Sequence, residues 1–586
     1  MPRMPWMAER GRVSTSPAGG RGDSPLRLTP HASNAQNAMK NLLTDWRFAW
    51  LLLLLPIALF LPAMPIDETR YLSVAWEMRF SGDYLLLHLN GAPYADKGPL
   101  LFWLINLAWT AAGLHAWIVR VGVLLASLAS LILFEQLARR LDPDRALAQR
   151  ATLLLGGMIC FTLFSIAIMF DVLVTSCVLL ALHGVLDLDE RRWWRGVAVM
   201  SAGLGLGLLT KGPPVLLDAG LVALLAPWWS ATAREHKARW YGSVVLGILG
   251  GIAIALVWAI AAYGAQGFWD AIVVRQTVGR VVKSFAHARP FWWYLMVLPA
   301  MLLPWTLTLR APWRAWRDSL LARKATRFGL AWFLPALLVF CMFSGKQMHY
   351  LLPLLPGLAL YLAAVLGADG ARLRSRWYAM LLVLAGIGLT ALPYLAGHSQ
   401  EIGPIAQMVK AGTLTESSLR VFAGIWPLWG LLAIALGAWL VRKRDGDAVE
   451  LTLSSAAVAM IAMLTLAQGV GPYVDVTAAA MRIKDYQTRG QPIAHLAWHH
   501  GLFEFPGRLT QPLEKVNWAD LRAWCEAHPD GEIVSFYTKY PITAKPDLEL
   551  PYRFGRIRFW HAADILTMPP PGTPAKADDE DDTPDD

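Results

Sequence analysis

Six short clusters of ionisable residues interrupt the long apolar stretches of this 586-residue chain. The first two are Asp67-Glu68-Thr69-Arg70-Tyr71 and Tyr94-Ala95-Asp96-Lys97-Gly98-Pro99. Asp171, after Met169-Phe170, is the third, and Thr210-Lys211-Gly212-Pro213 the fourth. A basic run with Arg275, Arg280, Lys283, His287 and Arg289 follows, then Gly345-Lys346-Gln347-Met348-His349-Tyr350. Charge at membrane depth or at the mouth of a span is costly, so it defaults to a functional reading. Arginine offers paired donors that fit a phosphate, and lysine a point charge. Carboxylates beside such cations stay ionised at neutral pH. Between 264 and 290 there are four Lys or Arg and one acid, Asp270. These features predict an anionic ligand, a phosphate at the membrane surface that carries a lipid tail. Each cluster also has a plainer role open to it. Asp67 and Arg70 could form an interfacial ion pair, Asp171 a helix cap, Lys211 a snorkelling cation, and the 275–289 cations contacts to lipid phosphates. His287 and His349 taken singly are weak signals, and the Trp pairs at 193–194, 228–229 and 292–293 read as an interfacial belt. The coincidence of six charged clusters on one face is what favours a site.

The elements that must position these residues are membrane spans. Hydrophobic residues make up 55% and charged residues 16%, against roughly 25% charged in soluble domains. That composition, with 28 Trp, excludes a soluble enzyme and a disordered, collagen-like or disulfide-rich chain. Cys160, Cys177 and Cys341 lie in apolar runs and Cys525 stands alone, so neither a disulfide framework nor a CxxC zinc site is available. The net charge of +10 sits mostly in short loops between apolar runs, which argues against a nucleic-acid partner. About thirteen apolar runs of spanning length fall between 47 and 470, and the shorter run 99–113 reads as an interfacial helix. With the N-terminus cytoplasmic, 29 of the 53 Lys and Arg fall in inner segments, 12 in outer loops and 12 in the C-terminal tail. That bias orients the chain. An odd span count then puts the C-terminus outside, in the periplasm of a bacterial inner membrane, with all six clusters on the outer side. Neither a repeat nor a P-loop is present, so an ATP-driven pump has no motor.

The resulting fold class is an all-α polytopic membrane protein of about 13 transmembrane helices with a small C-terminal α/β periplasmic domain. Residues 1–46 read as a disordered basic arm, 47–470 as the membrane domain with its first outer loop at 66–115, and 569–586 as a disordered acidic tail. In the domain 471–568, the pattern predicts a helix over 474–488, strands at 493–498 and 532–539, and a helix from a cap at Asn517 to His528.

The stretch from Asp67-Glu68-Thr69-Arg70-Tyr71 through Lys97-Gly98-Pro99-Leu100-Leu101 to Trp103-Leu104 resembles the first outer loop of bacterial polyprenyl-phosphate-dependent glycosyltransferases. This GT-C superfamily includes aminoarabinose transferases of lipid A and relatives of protein O-mannosyltransferases. The resemblance continues through Met169-Phe170-Asp171, Thr210-Lys211-Gly212, His287-Ala288-Arg289-Pro290-Phe291 and Ser344-Gly345-Lys346-Gln347-Met348-His349-Tyr350, and covers about 45–470. It implies that Asp67 is the first-loop catalytic acid and Asp171 the second. It implies that Arg70 and Lys97 hold the donor phosphate, that Lys211 is a cation at the cavity, and that Tyr350 is a phosphate-side tyrosine. A divalent metal, zinc or magnesium, can accompany the donor site in this family, and the matching positions are Asp96 and His287. The family's usual Lys-Pro-Pro is here Lys97-Gly98-Pro99, which reads as a more flexible turn. The region Gly507–Pro512 resembles the family's periplasmic tail, with no chemical role assigned.

The implied donor is a sugar on a polyprenyl phosphate, whose leaving group gains negative charge as the sugar–oxygen bond breaks. Cations placed in advance stabilise that charge; the candidates are Arg70, Lys97, Lys211, Arg275, Arg289 and Lys346. A carboxylate on the other face of the sugar takes the acceptor's proton or steadies oxocarbenium charge, with Asp67 first choice and Asp171 second. Lipid A, or another periplasmic acceptor such as a protein hydroxyl or a glycan, receives the sugar, and membrane lipids surround the site. A lipid-linked sugar transporter is the rival of a different class, and a periplasmic binding or assembly protein a third. Removing 471–586 separates the last reading, which predicts total loss, from the transferase reading, which predicts a partial effect.

Overall fold

The structure, a computed structural model, describes residues 45–268, 288–411, 414–443, 445–537, 540–553 and 555–568. The chain divides into two compact units, Met1–Phe48 and Ala49–Asp586. In the first, the Asp45 carboxylate accepts the Arg47 backbone N–H at 2.9 Å and its guanidinium at 3.0 Å.

The second unit is mostly helical. Among the described residues, seven helical stretches are long and apolar enough to cross a membrane. They are Ala116–Leu141, Asp171–Asp189, Lys237–Gly264, Lys324–Met342, Met348–Leu366, Arg376–Gly397 and Ala448–Thr488, and the pair Glu416–Ala423 and Pro427–Arg442, bent by 64°, makes an eighth if it is one span. Shorter apolar helices run over Trp46–Phe60, Leu100–Ala112 and Pro214–Leu224. Several of the expected apolar runs are broken, 151–169 and 291–309 among them. The run 151–169 splits at Met158, whose backbone is extended, into Arg145–Gly157 and Ile159–Phe164. The run 291–309 splits before Pro304 into Trp293–Met301 and Trp305–Thr308, because proline lacks a donor and disfavours helix in the residue before it. Asp171–Asp189 packs closely on Trp193–Lys211 through Ala181, Gly184, Gly196 and Gly203, the small-residue contact that membrane helices favour.

The segment 66–115, which the sequence suggests is the first outer loop, is built from three pieces. The helix Asp67–Ser81 ends at Gly82, in the left-handed conformation with φ 76°, a common helix stop. A two-stranded hairpin pairs His88–Leu89 with Ala92–Pro93 across Asn90-Gly91, both at positive φ, the turn chemistry a tight hairpin needs. The helix Leu100–Ala112 follows. These pieces share one apolar core of Tyr71, Val74, Phe102, Trp109, Phe170 and Phe505 among others. Phe170 directly precedes Asp171, and Phe505 comes from the C-terminal region.

That region carries a five-stranded sheet ordered Glu514–Val516, Ile493–Leu496, Glu532–Ser535, Gly555–His561, Leu548–Tyr552. The first three strands are mutually parallel and the last two join antiparallel. One face packs on Thr477–Thr488 through Ile483, Val534 and Phe559; the other packs on Leu521–Ala527 and Ala562–Leu566 through Ile533 and Trp560. Both expected strands are present but shorter. The first stops at Leu496 because Ala497 turns to φ 69°, and the second stops at Ser535. The expected helix from 517 begins as a 3-10 turn at Trp518–Asp520 and continues over Leu521–Ala527. Asn517 does not cap it; its amide donates instead to Asp520 Oδ2 at 3.4 Å.

Candidate active site at the outer loop

Asp67 opens the outer-loop helix and leaves its side chain half exposed. Arg70, one turn on and nearly buried, brings Nη2 to 3.8 Å from Asp67 Oδ1. The Tyr71 hydroxyl donates to the same oxygen at 3.2 Å. Burial first, and then the Asp67 charge, hold the Tyr71 phenol well above its ordinary value, so it remains a donor at any working pH. The ring is wedged edge-on against Phe170 at 4.8 Å. A tyrosine thus ties the first candidate acid to the residue that precedes the second.

Glu68 faces inward and is nearly buried. Its carboxylate takes Arg120 Nη1 at 3.0 Å and Nη2 at 2.5 Å. It also accepts the backbone N–H groups of Met64 and Ile168, each at 2.8 Å. Arg120, with zero exposure, donates further to the carbonyls of Pro62 at 2.5 Å and Ile166 at 3.3 Å. The pair therefore fixes the chain on both sides of Asp67 to the segment that leads into Asp171. In the sequence Glu68 stands out only as part of the Asp67–Tyr71 cluster, and Arg120 is one of the twelve Lys and Arg outside the inner segments and the tail. The available signal was two opposite charges at the ends of different apolar elements, where isolated charge is expensive.

Asp171 is buried at the first turn of its helix, and Oδ1 accepts Lys211 Nζ at 2.6 Å. Among the described residues its second oxygen has no hydrogen-bond partner. Lys211, the last residue of Trp193–Lys211, also lies over the Tyr350 ring, 4.6 Å from its centroid, a cation–π contact. Asp67, Lys97, Asp171 and Lys211 are all near enough to His349 for their charges to act on it. Four of the residues singled out in the sequence are thus brought together around the 346–350 turn. Asp218, which sequence reasoning missed, is buried in Pro214–Leu224 with neither oxygen hydrogen-bonded among the described residues. Lys211 and Asp171 are the charged groups that act on it. Its signal was a lone acid inside an apolar run.

Lys97 and Asp96 are half-buried at the head of the Leu100–Ala112 helix. Gly98, where the family has proline, is not a loosened turn. A Cβ there would lie 2.1 Å from the Leu209 carbonyl oxygen. The turn carrying Lys97 is pressed against the backbone of the helix that ends in Lys211, and a side chain at 98 has no room.

Lys346 is buried, and its ammonium donates to the carbonyls of Arg289, at 3.0 Å, and Phe343. Arg289 N–H in turn donates to Ser344 O at 3.1 Å, beside an Ala288–Gly345 bridge. Lys346 therefore spends two donors on joining these two strands of chain, while the Arg289 side chain is exposed. Arg275, Arg280, Lys283 and His287 lie outside the described residues. Among the described residues no three His, Cys, Asp or Glu side chains come together where a metal could sit; of the two candidate metal positions, Asp96 is described and His287 is not.

A cavity of about 180 Å³ opens beside Asp67, between Leu61, Met64, Leu163, Met463 and Leu466, with the Glu68–Arg120 pair in its wall. The arrangement is a half-exposed carboxylate with a guanidinium and a phenol on one side, a second acid–amine pair below, and an apolar recess alongside. It can bind a phosphate, orient an electrophilic carbon, and hold an apolar chain.

Comparison with known proteins places this site in context. Residues 96–258 match the family described as dolichyl-phosphate-mannose-protein mannosyltransferase. An undecaprenyl phosphate-alpha-4-amino-4-deoxy-L-arabinose arabinosyl transferase of Edwardsiella ictaluri is 30% identical over 390 residues, covering 63% of this chain and 67% of that one. The corresponding transferase 2 of Pseudomonas fluorescens is 29% identical over 483 residues, covering 74% of this chain and 79% of that one. Among solved structures, ArnT from Cupriavidus metallidurans bound to undecaprenyl phosphate shares the fold with a TM-score of 0.67 at 17% identity, over 90% of this chain and 98% of that one. Its apo form gives 0.66 at 16% identity, over 92% and 100%.

Proposed function

The chain belongs to the family of undecaprenyl phosphate-aminoarabinose arabinosyl transferases, and from that premise we propose that it moves 4-amino-4-deoxy-L-arabinose from undecaprenyl phosphate to a phosphate of lipid A. The observation that carries this reading is the Asp67–Arg70–Tyr71 group at an open mouth above the Asp171–Lys211 pair.

In the reaction the bond between the sugar's anomeric carbon and the donor phosphate oxygen breaks, and undecaprenyl phosphate leaves with the electron pair. A new bond forms from that carbon to an oxygen of the acceptor phosphate. Arg70 and Lys97 receive the charge that grows on the leaving phosphate, with Lys211 and Arg289 as further cations; the sequence candidate Arg275 lies outside the described residues. Such charge is stabilised best by donors already in place. Asp67, held by Tyr71 and Arg70, faces the electron-poor carbon and steadies its positive charge. A lipid A phosphate is already anionic, so Asp67 need not remove a proton; with a hydroxyl acceptor it would act as the base. Asp171 directs Lys211 through their 2.6 Å ion pair. The recess beside Asp67 suits an acyl or prenyl chain. Lys346, its amine engaged by two carbonyls, contributes through the shape of the 343–350 turn.

We propose for the finer topology thirteen spans, with each expected run overlapping an observed helix or broken helix pair. The N-terminus is cytoplasmic, and the domain 471–568 lies in the periplasm of a bacterial inner membrane. The Lys/Arg distribution supports this orientation.

Purified protein in liposomes tests the reaction. With undecaprenyl phosphate-linked aminoarabinose and lipid A on the same face, the expected result is consumption of donor and appearance of sugar-modified lipid A. Movement of intact donor between leaflets, with none consumed, would establish a transporter in its place.

A further inference from the structure

The C-terminal domain entered the sequence reading without a chemical role. Its segment from Gly501 to Leu513 lies along the helix Asp67–Ser81. The Ser73 hydroxyl, with no exposure, donates to Gly501 O at 2.7 Å and accepts from Phe505 N–H at 3.1 Å. One turn on, Trp76 Nε1 donates to Leu509 O at 2.7 Å. The Asn90 side chain makes a reciprocal pair with Leu513, amide to carbonyl at 2.8 Å and backbone N–H to Oδ1 at 2.7 Å. Glu77 steadies that turn by accepting Gly91 N–H at 2.8 Å. Phe505 stacks flat on Trp109, with centroids 4.9 Å apart. Arg508 covers the other side of Phe505 at 3.9 Å and reaches Leu114 O at 2.6 Å.

Gly501 is the tightest point. Its φ of 73° is one that side-chain-bearing residues rarely adopt, and a Cβ there would lie 2.7 Å from Leu89 Cδ1 and 3.3 Å from Arg70 Cα. The segment thus rests on the backbone of Arg70 itself. On helical spacing, Ser73, Trp76 and Glu77 share the face turned to this segment, while Asp67, Tyr71 and Val74 share another face. The helix is therefore held from three directions: by Arg120 through Glu68, by the Phe102–Phe170 core, and by the C-terminal segment.

We propose that residues 501–513 position the outer-loop helix for sugar transfer, with Gly501 and Ser73 as positioning residues. This rests on the transferase reading above. Neither residue touches the reacting atoms. Each sets the depth and rotation of the helix that presents Asp67 and Arg70, and displacements well under a turn are enough to misalign a reacting pair. Removal of 471–586 should accordingly abolish transfer, where the sequence reading expected a partial effect.

The test uses the full-length protein with Gly501→Ala, Ser73→Ala and Trp76→Phe. Hydrogen exchange read by mass spectrometry should show faster exchange in 67–81 for Gly501→Ala, with the spans unchanged. Turnover at saturating donor should fall about tenfold or more, while undecaprenyl phosphate binding to the purified variant stays within about threefold of wild type. A merely structural contact would lower abundance and leave turnover per folded molecule unchanged. Should Gly501→Ala fail to accumulate, Ser73→Ala and Trp76→Phe carry both readouts. Unchanged exchange in 67–81, or wild-type turnover in the folded variants, overturns the proposal. Failure of the transferase reading has a separate sign, a wild-type protein that consumes no donor, and the exchange result then still decides the positioning claim.

Discussion

At the scale of single residues, the buried Glu68–Arg120 pair sets the limits on what the neighbouring Asp67 can do. Removing one partner of a buried pair leaves an uncompensated charge and costs about 3–5 kcal/mol. Arg120→Leu should therefore sharply reduce the protein in membranes and its melting midpoint in detergent. Arg120→Lys should recover little, because a single ammonium cannot serve the carboxylate and the Pro62 and Ile166 carbonyls together. The double variant Glu68→Leu with Arg120→Leu should regain abundance but not transfer, since the fold loses a charge problem while Asp67 loses its anchor. Restored transfer in the double variant would show that the pair only stabilises. Asp67, Asp171 and Lys211 were legible in the sequence because each is a charge beside a long apolar run. The Glu68–Arg120 pair was not, because 52 residues separate the two and only packing reveals which spans are neighbours. Asp218 had the same signal as Asp171 and was passed over for lack of a motif around it.

Among the elements, the Lys97-Gly98-Pro99 turn shows how a family departure is misread without the contact it makes. Sequence alone suggested slackness. In the fold, Gly98 lets the head of one helix press on Leu209 at the end of another, so Lys97 and Lys211 are set relative to each other. Gly98→Ala should push the turn away from the Leu209 backbone, lower abundance, and in the protein that still folds raise the donor concentration needed for half-maximal transfer by about tenfold. A donor dependence equal to wild type would remove Lys97 from the phosphate site. The C-terminal sheet was half legible for a related reason. Ile493–Leu496 and Glu532–Ser535 are short, fully buried strands that carry Ile493, Leu496, Ile533 and Val534, and the pattern shows in the sequence. Leu548–Tyr552 and Gly555–His561 carry Pro551, Glu549, Arg556 and Arg558, whose charges pair across the two strands. An edge strand with proline and charge reads as loop until its partner is known.

For the whole molecule, the C-terminal domain makes stability depend on pH. Burial pushes the His495 imidazole down to about 4 and His499 well below 6.5. Burial also raises the Glu504 carboxyl, 3.3 Å from His499 Nδ1, to about 7. Between pH 4.5 and 6.5 the unfolded chain holds two histidine protons that the fold excludes, and the fold holds one Glu504 proton that the unfolded chain lacks. The unfolded state then binds one proton more, so stability rises with pH by on the order of 1 kcal/mol per unit. Of these three groups, only Glu504 still differs above 6.5, with the opposite sign, and their joint contribution to stability declines slightly towards 7. The melting midpoint of the purified protein should peak near pH 6.5, and His499→Phe should flatten the acid limb. An acid limb of the same slope in His499→Phe would place the titrating group elsewhere. The proposed function places sugar transfer at the half-exposed Asp67 carboxylate. Mass spectrometry of lipid A tests it most directly, in cells lacking the gene and carrying either wild type or Asp67→Asn at equal membrane abundance. Aminoarabinose-modified lipid A with wild type and none with Asp67→Asn is the predicted result. Modification at the wild-type level with Asp67→Asn would contradict it.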